Sequence, residues 1–246
     1  MEKPAGKEMT FLDHLEELRR RLIRSFIAVI VGAIIAYYFS DWLINGVTVP
    51  LKDVGVYFKA PAEAFMTHIK ISLLAGVIIA CPVILYQAWM FIGPGLMKSE
   101  IRIVFPIVLS STIFFIVGGA FCFFYVVPLT IKVLLQFGTE TMKPMIMIGD
   151  YISFVGTLVL AFGLIFELPV AAYILGRMGV IDHRMLGRVR RYAIVGILVV
   201  AAVLTPPDVI SQMFMAVPLY LLYEISILVV WMTARKNRRD EGPNAS

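Results

Sequence analysis

The chain has 246 residues, 60% of them hydrophobic and 16% charged, with a mean hydropathy of +0.87 and a net charge of +5. A soluble domain carries about a quarter charged residues, and here the apolar residues gather into runs that exceed the roughly 20 needed to cross a bilayer. These totals exclude an ordinary soluble domain, and without period-two alternation a transmembrane barrel is disfavoured too. The expected fold is an all-α membrane protein, one transmembrane domain over residues 1–246.

Thr10–Arg24 reads as a short charged helix set against the first apolar run. Phe11, Leu15, Leu18 and Leu22 form an apolar stripe at the 3.6-residue period, and Asp13, Glu17, Arg20, Arg21 and Arg24 fall on the opposite, exposed side. Thr10 with Asp13 can form a capping box. An acidic residue there can receive a cationic partner at the membrane surface. The plainer alternative is that Glu16 and Glu17 only pair with Arg20 and Arg21 at i,i+4 spacing, each pair contributing about 0.2–0.5 kcal/mol.

Six spans are predicted, at about Leu22–Leu43, Ile69–Ile92, Ile103–Pro128, Tyr151–Leu175, Tyr192–Leu204 and Val209–Met232, followed by a flexible tail over residues 235–246. With the N-terminus cytoplasmic, 17 of the 22 basic residues fall on the inner side, which places both termini in the cytoplasm. The segment from Asp41 to His68 is long and half apolar, so it is expected either to lie against the membrane surface or to pack over the outer mouth of the bundle. Pro61 is placed to open a helix there, with Glu63 favoured in its first turn by the helix dipole.

Gly93-Pro94-Gly95 ends the second span and leaves Glu100 in a short inner loop between Lys98 and Arg102. Phe166-Glu167-Leu168-Pro169 sets a carboxylate inside the hydrocarbon region, where its insertion costs at least about 2.5 kcal/mol unless it meets a cavity or a partner. Glu224, in Tyr223-Glu224-Ile225, is a second intramembrane carboxylate. The fifth span is short: about 13 residues reach some 20 Å of a roughly 30 Å core. Thr205-Pro206-Pro207-Asp208 stops it, and Asp208 is placed to cap the next helix.

Other chemistries find no support. Cys81 and Cys122 sit singly in apolar runs, and His14, His68 and His183 lie far apart, so no metal and no cofactor is expected. The basic residues report orientation, not nucleic-acid binding. No HExxH, Ser–His, Ser–Lys or Cys–His arrangement points to an enzyme. A proton-coupled secondary transporter using Glu167 and Glu224 is the main alternative, although no inverted repeat relates the chain halves.

The motifs in combination point to one family. HLEELRRR at His14–Arg21, P-x-E-x-F at Pro61–Phe65, CPVILYQAWMFIGPGL at Cys81–Leu96, KSEIR at Lys98–Arg102, FGLIFELPV at Phe162–Val170, RRYAIVG at Arg190–Gly196 and LTPPDVISQ at Leu204–Gln212 cover nearly the whole chain. It resembles TatC, the multispan receptor subunit of the twin-arginine protein translocase. The resemblance implies that Glu17 and Glu100 receive the paired arginines of signal peptides on folded precursor proteins, with Arg19 and Phe91 in the same patch. It implies that Glu167 is the family's intramembrane glutamate, that Asp208 marks its outer turn, and that Pro50 occupies a functionally sensitive outer-loop position. It further implies single-span TatA and TatB partners, several copies in one complex and use of the proton-motive force. With no transit peptide preceding Thr10, the expected location is the bacterial inner membrane.

The chemistry of that site is specific. A planar guanidinium pairs bidentately with a carboxylate in a way lysine cannot copy. Two adjacent arginines then call for two carboxylates at one membrane level.

Overall fold

The charged N-terminal segment and the first apolar run form one unbroken helix, α1 (Phe11–Tyr38), in the computed structural model, which describes residues 11–52, 54–92, 101–138, 144–204 and 209–240. Then come α2 (Ser40–Val47), a 3₁₀ turn (Val49–Leu51), α3 (Pro61–Ile92), α4 (Ile101–Phe121), a π segment (Cys122–Val126), α5 (Val127–Leu135), α6 (Ile148–Phe166), α7 (Leu168–Arg177), α8 (His183–Leu204) and α9 (Val209–Asp240). Among the described residues the only β-pairing is an isolated bridge between Tyr57 and Met147. In hydrocarbon a spanning backbone must satisfy its own hydrogen bonds, so apolar runs of this length fold as helices.

Among the described residues, five stretches are long and apolar enough to cross a membrane: Leu12–Tyr38, Pro61–Phe91, Val104–Leu135, Ile148–Arg177 and Val209–Ala234. α8 is not among them, because Arg184, Arg188, Arg190 and Arg191 occupy its first half and its apolar part starts only at Tyr192. The third stretch continues past Pro128, where the sequence places its end, by changing register. Pro128 has no N–H to donate, and the Val127 N–H reaches back five residues to the Cys122 carbonyl. The fourth stretch breaks at Glu167, between α6 and α7.

α1 turns two residues of its charged side, Glu17 and Arg21, toward α3, against the expectation that this side is exposed, while Asp13, Arg20 and Arg24 stay exposed. Leu15, Leu18 and Leu22 are 44%, 41% and 66% exposed, whereas Glu17, Arg21, Ser25, Ala28 and Val29 are half-buried against α3. Lipid solvates leucine as well as a protein interior does, so an apolar stripe has no drive to turn inward. Polar and small residues do, because they pack closely or find hydrogen-bond partners only at a helix contact.

Close packing of α1 on α3 depends on glycine. A Cβ on Gly76 would lie 2.5 Å from the Ala33 nitrogen, and one on Gly32 would lie 2.8 Å from the Gly76 oxygen. α6 forms the centre of the bundle through Ile152, Val155, Leu158 and Phe162, packed on Ile71 of α3, Cys122 and Val127 of the third stretch, and Met215 of α9.

At the end of the molecule carrying Tyr57, residues after α2 fold back over the N-termini of α3 and α6. The Tyr57 backbone exchanges hydrogen bonds with Ile146 and Ile148, and the Tyr151 hydroxyl donates to the Val47 carbonyl at 2.8 Å. Glu63 joins the two helix starts: its carboxylate accepts from the Lys59 N–H at 2.7 Å and from the Gly149 N–H at 3.3 Å. Helix N-termini leave such donors unsatisfied and favour negative charge. Glu63→Ala is therefore expected to cost about 1–2 kcal/mol, read as a lower thermal-unfolding midpoint in detergent, with Glu63→Gln retaining part of the loss. An unchanged midpoint in Glu63→Ala would show that water replaces the carboxylate without penalty.

Candidate functional site

At the opposite end, α1 and α3 run antiparallel and present a ladder of polar and aromatic side chains to each other. His14, Glu17 and Arg21 share one face of α1 at i, i+3 and i+7; Gln87 and Phe91 share one face of α3 at i and i+4. The His14 ring stacks on Phe91 with centroids 4.3 Å apart and planes 16° from parallel. One turn along, Arg21 donates through Nε to Glu17 Oε1 at 2.9 Å, and through Nη2 to the same oxygen. Its third nitrogen, Nη1, donates to Gln87 Oε1 across the helix contact at 3.3 Å.

This arrangement loads one carboxylate oxygen and leaves the other. Glu17 Oε2 is buried and has no hydrogen-bond partner among the described residues. A carboxylate offers about four acceptor positions, so Glu17 retains capacity for a further donor. The side chains of Arg21 and Glu17 are 15% and 21% exposed. The neighbouring Glu16–Arg20 pair, at 3.3 Å with both side chains more than 60% exposed, is an ordinary surface pair of small energetic weight. Both i,i+4 pairs expected from the sequence thus form, Glu16–Arg20 in the open and Glu17–Arg21 turned toward α3 with one carboxylate oxygen left over.

The other candidate residues are spread along the bundle. Arg19 lies on the exposed side of α1. Glu100 and Asp208 fall outside the described residues. Pro50 sits in the 3₁₀ turn Val49–Leu51, at the end of the molecule away from Glu17, beside the buried Leu51. Glu167 stands at the α6–α7 break with both carboxylate oxygens buried and without a hydrogen-bond partner among the described residues. It lies beside Ser111, which accepts the Trp89 indole N–H at 2.8 Å. Glu224 differs from Glu167 in having a cation: Arg190 of α8 donates to its Oε2 at 2.7 Å. Among the described residues no group of three or more His, Cys, Asp or Glu side chains could hold a metal ion.

Sequence reasoning missed Gln87 and the Trp89–Ser111 bond. The available signal was a glutamine inside an otherwise apolar run, four residues before Phe91 on the same helix face.

Several apolar spans around a central helix, with a charged pair turned inward at one end, define a multi-pass helical membrane protein. Comparison with known proteins defines its class. Residues 13–218 match the family model described as Sec-independent protein translocase protein (TatC). The chain is 44% identical over 226 residues to the Sec-independent protein translocase protein TatC of Carboxydothermus hydrogenoformans, covering 91% of this chain and 93% of that one. It is 42% identical over 236 residues to the protein of the same name from Aquifex aeolicus, with coverages of 94% and 98%. A crystal structure described as the twin arginine translocase receptor TatC is similar with a TM-score of 0.80 at 43% identity, over 90% of this chain and 99% of that one. The protein is thus a component of a protein translocase, a transport protein of the membrane. The chain belongs to the TatC family.

Proposed function

We propose that this protein is the receptor of a twin-arginine translocase, binding paired-arginine signal peptides of folded precursor proteins at the cytoplasmic face. The observation that carries this reading is the Glu17 carboxylate, inward-facing and with Oε2 unpartnered among the described residues. A guanidinium is the natural donor for such an oxygen, and the adjoining Phe91–His14 stack supplies an aromatic wall. Glu100 is proposed as the carboxylate for the second arginine, with Arg19 at the margin of the patch. The solved relative described as a twin arginine translocase receptor supports the same assignment.

The membrane arrangement follows from the charge distribution. Six spans with both termini in the cytoplasm put 17 of the 22 basic residues inside, with the charged half of α8 and the Glu17 site at the inner surface of the bacterial inner membrane. Glu167, Asp208 and Pro50 are proposed as sites for partner helices and outer-loop function, with TatA and TatB as single-span partners. The complex contains several copies and uses the proton-motive force. The transporter alternative loses one of its two relay carboxylates, because Glu224 is held by Arg190.

Photo-crosslinking tests the assignment. A probe placed at Phe91 is expected to label a twin-arginine signal peptide and not its twin-lysine counterpart. Equal labelling by both peptides would mean unspecific adsorption and would remove the receptor reading.

A further inference from the structure

The Arg21 guanidinium is bound as a ligand's would be. All three of its nitrogens are engaged, two by Glu17 Oε1 and one by Gln87 Oε1, and its side chain is only 15% exposed. A surface i,i+4 pair does not look like this: Arg20, one residue earlier on the same helix, meets Glu16 with a single contact at 3.3 Å in the open. The sites differ because Gln87 reaches across from α3 and completes an acceptor set around Arg21 that a solvated pair lacks.

We infer that Arg21 is an internal stand-in for the signal's arginine, occupying Glu17 Oε1 and Gln87 Oε1 in the resting protein and leaving them once a signal guanidinium, entering at the open Glu17 Oε2, takes the carboxylate. This rests on the receptor reading above. A carboxylate taken out of water needs a cation, because an unpaired buried charge is strongly destabilising. Arg21 supplies that cation while no signal is bound. The exchange replaces one guanidinium by another, so the charge and the donor geometry at Glu17 are conserved. A lysine ammonium offers three donors from one point and cannot reproduce the contacts that Nε, Nη1 and Nη2 make together. The displaced Arg21 lies in the charged first half of α1, and its long stem allows its head to swing out to the membrane surface. Arg21 thus sets the affinity of the site by competing with the ligand, and a signal is held only if its own contacts exceed those it displaces.

The test measures binding of synthetic twin-arginine and twin-lysine signal peptides to the full chain in lipid nanodiscs. Arg21→Met, which keeps the stem and removes the competitor, is expected to bind the twin-arginine peptide about tenfold tighter than the parent protein. Arg21→Lys, which keeps the charge but cannot make the three contacts together, is a weaker competitor and is expected to give a smaller gain of about threefold. In a Glu17→Gln background, Arg21→Met is expected to change nothing, since the competition acts through Glu17. Unchanged or weaker twin-arginine binding in Arg21→Met and Arg21→Lys, with the parent still preferring arginine over lysine, overturns the stand-in and makes Arg21 a support for Glu17. If the parent itself binds both peptides alike, the receptor reading fails instead. Should Arg21→Met not fold, Arg21→Lys decides alone, because it keeps a cation beside Glu17.

Discussion

Glu17→Ala is expected to abolish export of precursors bearing twin-arginine signals while the protein still inserts into the membrane. The carboxylate faces α3 from this end of α1, and truncating one partner of a desolvated, hydrogen-bonded charge pair costs about 2–5 kcal/mol. At 1.4 kcal/mol per factor of ten, a loss near 3 kcal/mol lowers signal affinity by about 100-fold. Insertion survives because the freed Arg21 can extend to the surface, so no cation is stranded in hydrocarbon. Glu17→Gln sharpens the result. It keeps the shape and one acceptor oxygen, but removes the charge that strengthens a guanidinium contact, and it is expected to lose nearly as much. The measurement is export of a folded reporter, with membrane levels of the variant quantified in parallel. Normal export by Glu17→Ala would detach the site from the function.

Gly76→Leu is expected to separate α1 from α3. A side chain at Gly76 meets backbone, since its Cβ would lie 2.5 Å from the Ala33 nitrogen and 2.8 Å from the Ala33 Cα. No rotamer relieves that contact, so the helices must move apart, at a cost at the upper end of the roughly 1–3 kcal/mol typical of overpacking. α3 is the main partner of α1 in the bundle, so the strain acts where α1 has little else to hold it. The damage reaches the site: His14–Phe91 stacking and the Arg21–Gln87 bond both span the same pair of helices. A short thiol-reactive crosslinker between His14→Cys and Phe91→Cys reads the separation directly. Crosslinking is expected to fall in Gly76→Leu and to persist in Gly196→Leu, since a Cβ at Gly196 meets nothing within 4 Å. Retained crosslinking in Gly76→Leu would show that the contact yields without parting the helices.

Much of this protein can be read from its residues in order. Run length and composition lead to an all-helical membrane chain, because a bilayer leaves the backbone few other ways to satisfy its hydrogen bonds. The motifs lead to the TatC family, and the proline at 61 and the glutamate at 63 mark the start of α3, where the helix does begin. Phe166-Glu167-Leu168-Pro169 reads as an intramembrane carboxylate within one span Tyr151–Leu175, and only the structure shows that the stretch breaks there between α6 and α7. These features are local: each depends on a proline, a charge or an apolar run within one stretch of chain.

Packing settled the rest. Periodicity divides α1 into an apolar and a charged stripe, but the face that meets α3 carries Glu17 and Arg21 and not the leucines, because lipid removes the drive that would bury leucines in water. The difference between Glu16–Arg20 and Glu17–Arg21, two pairs of the same spacing one residue apart, comes from Gln87, which lies 66 positions beyond Arg21 and meets it only once α1 and α3 have docked. Glu224 and Glu167 likewise look alike in sequence and differ in the fold, where Arg190 reaches only the first. Contacts between helices far apart in the chain carry no local periodicity, and they are what turn a row of charges into a site.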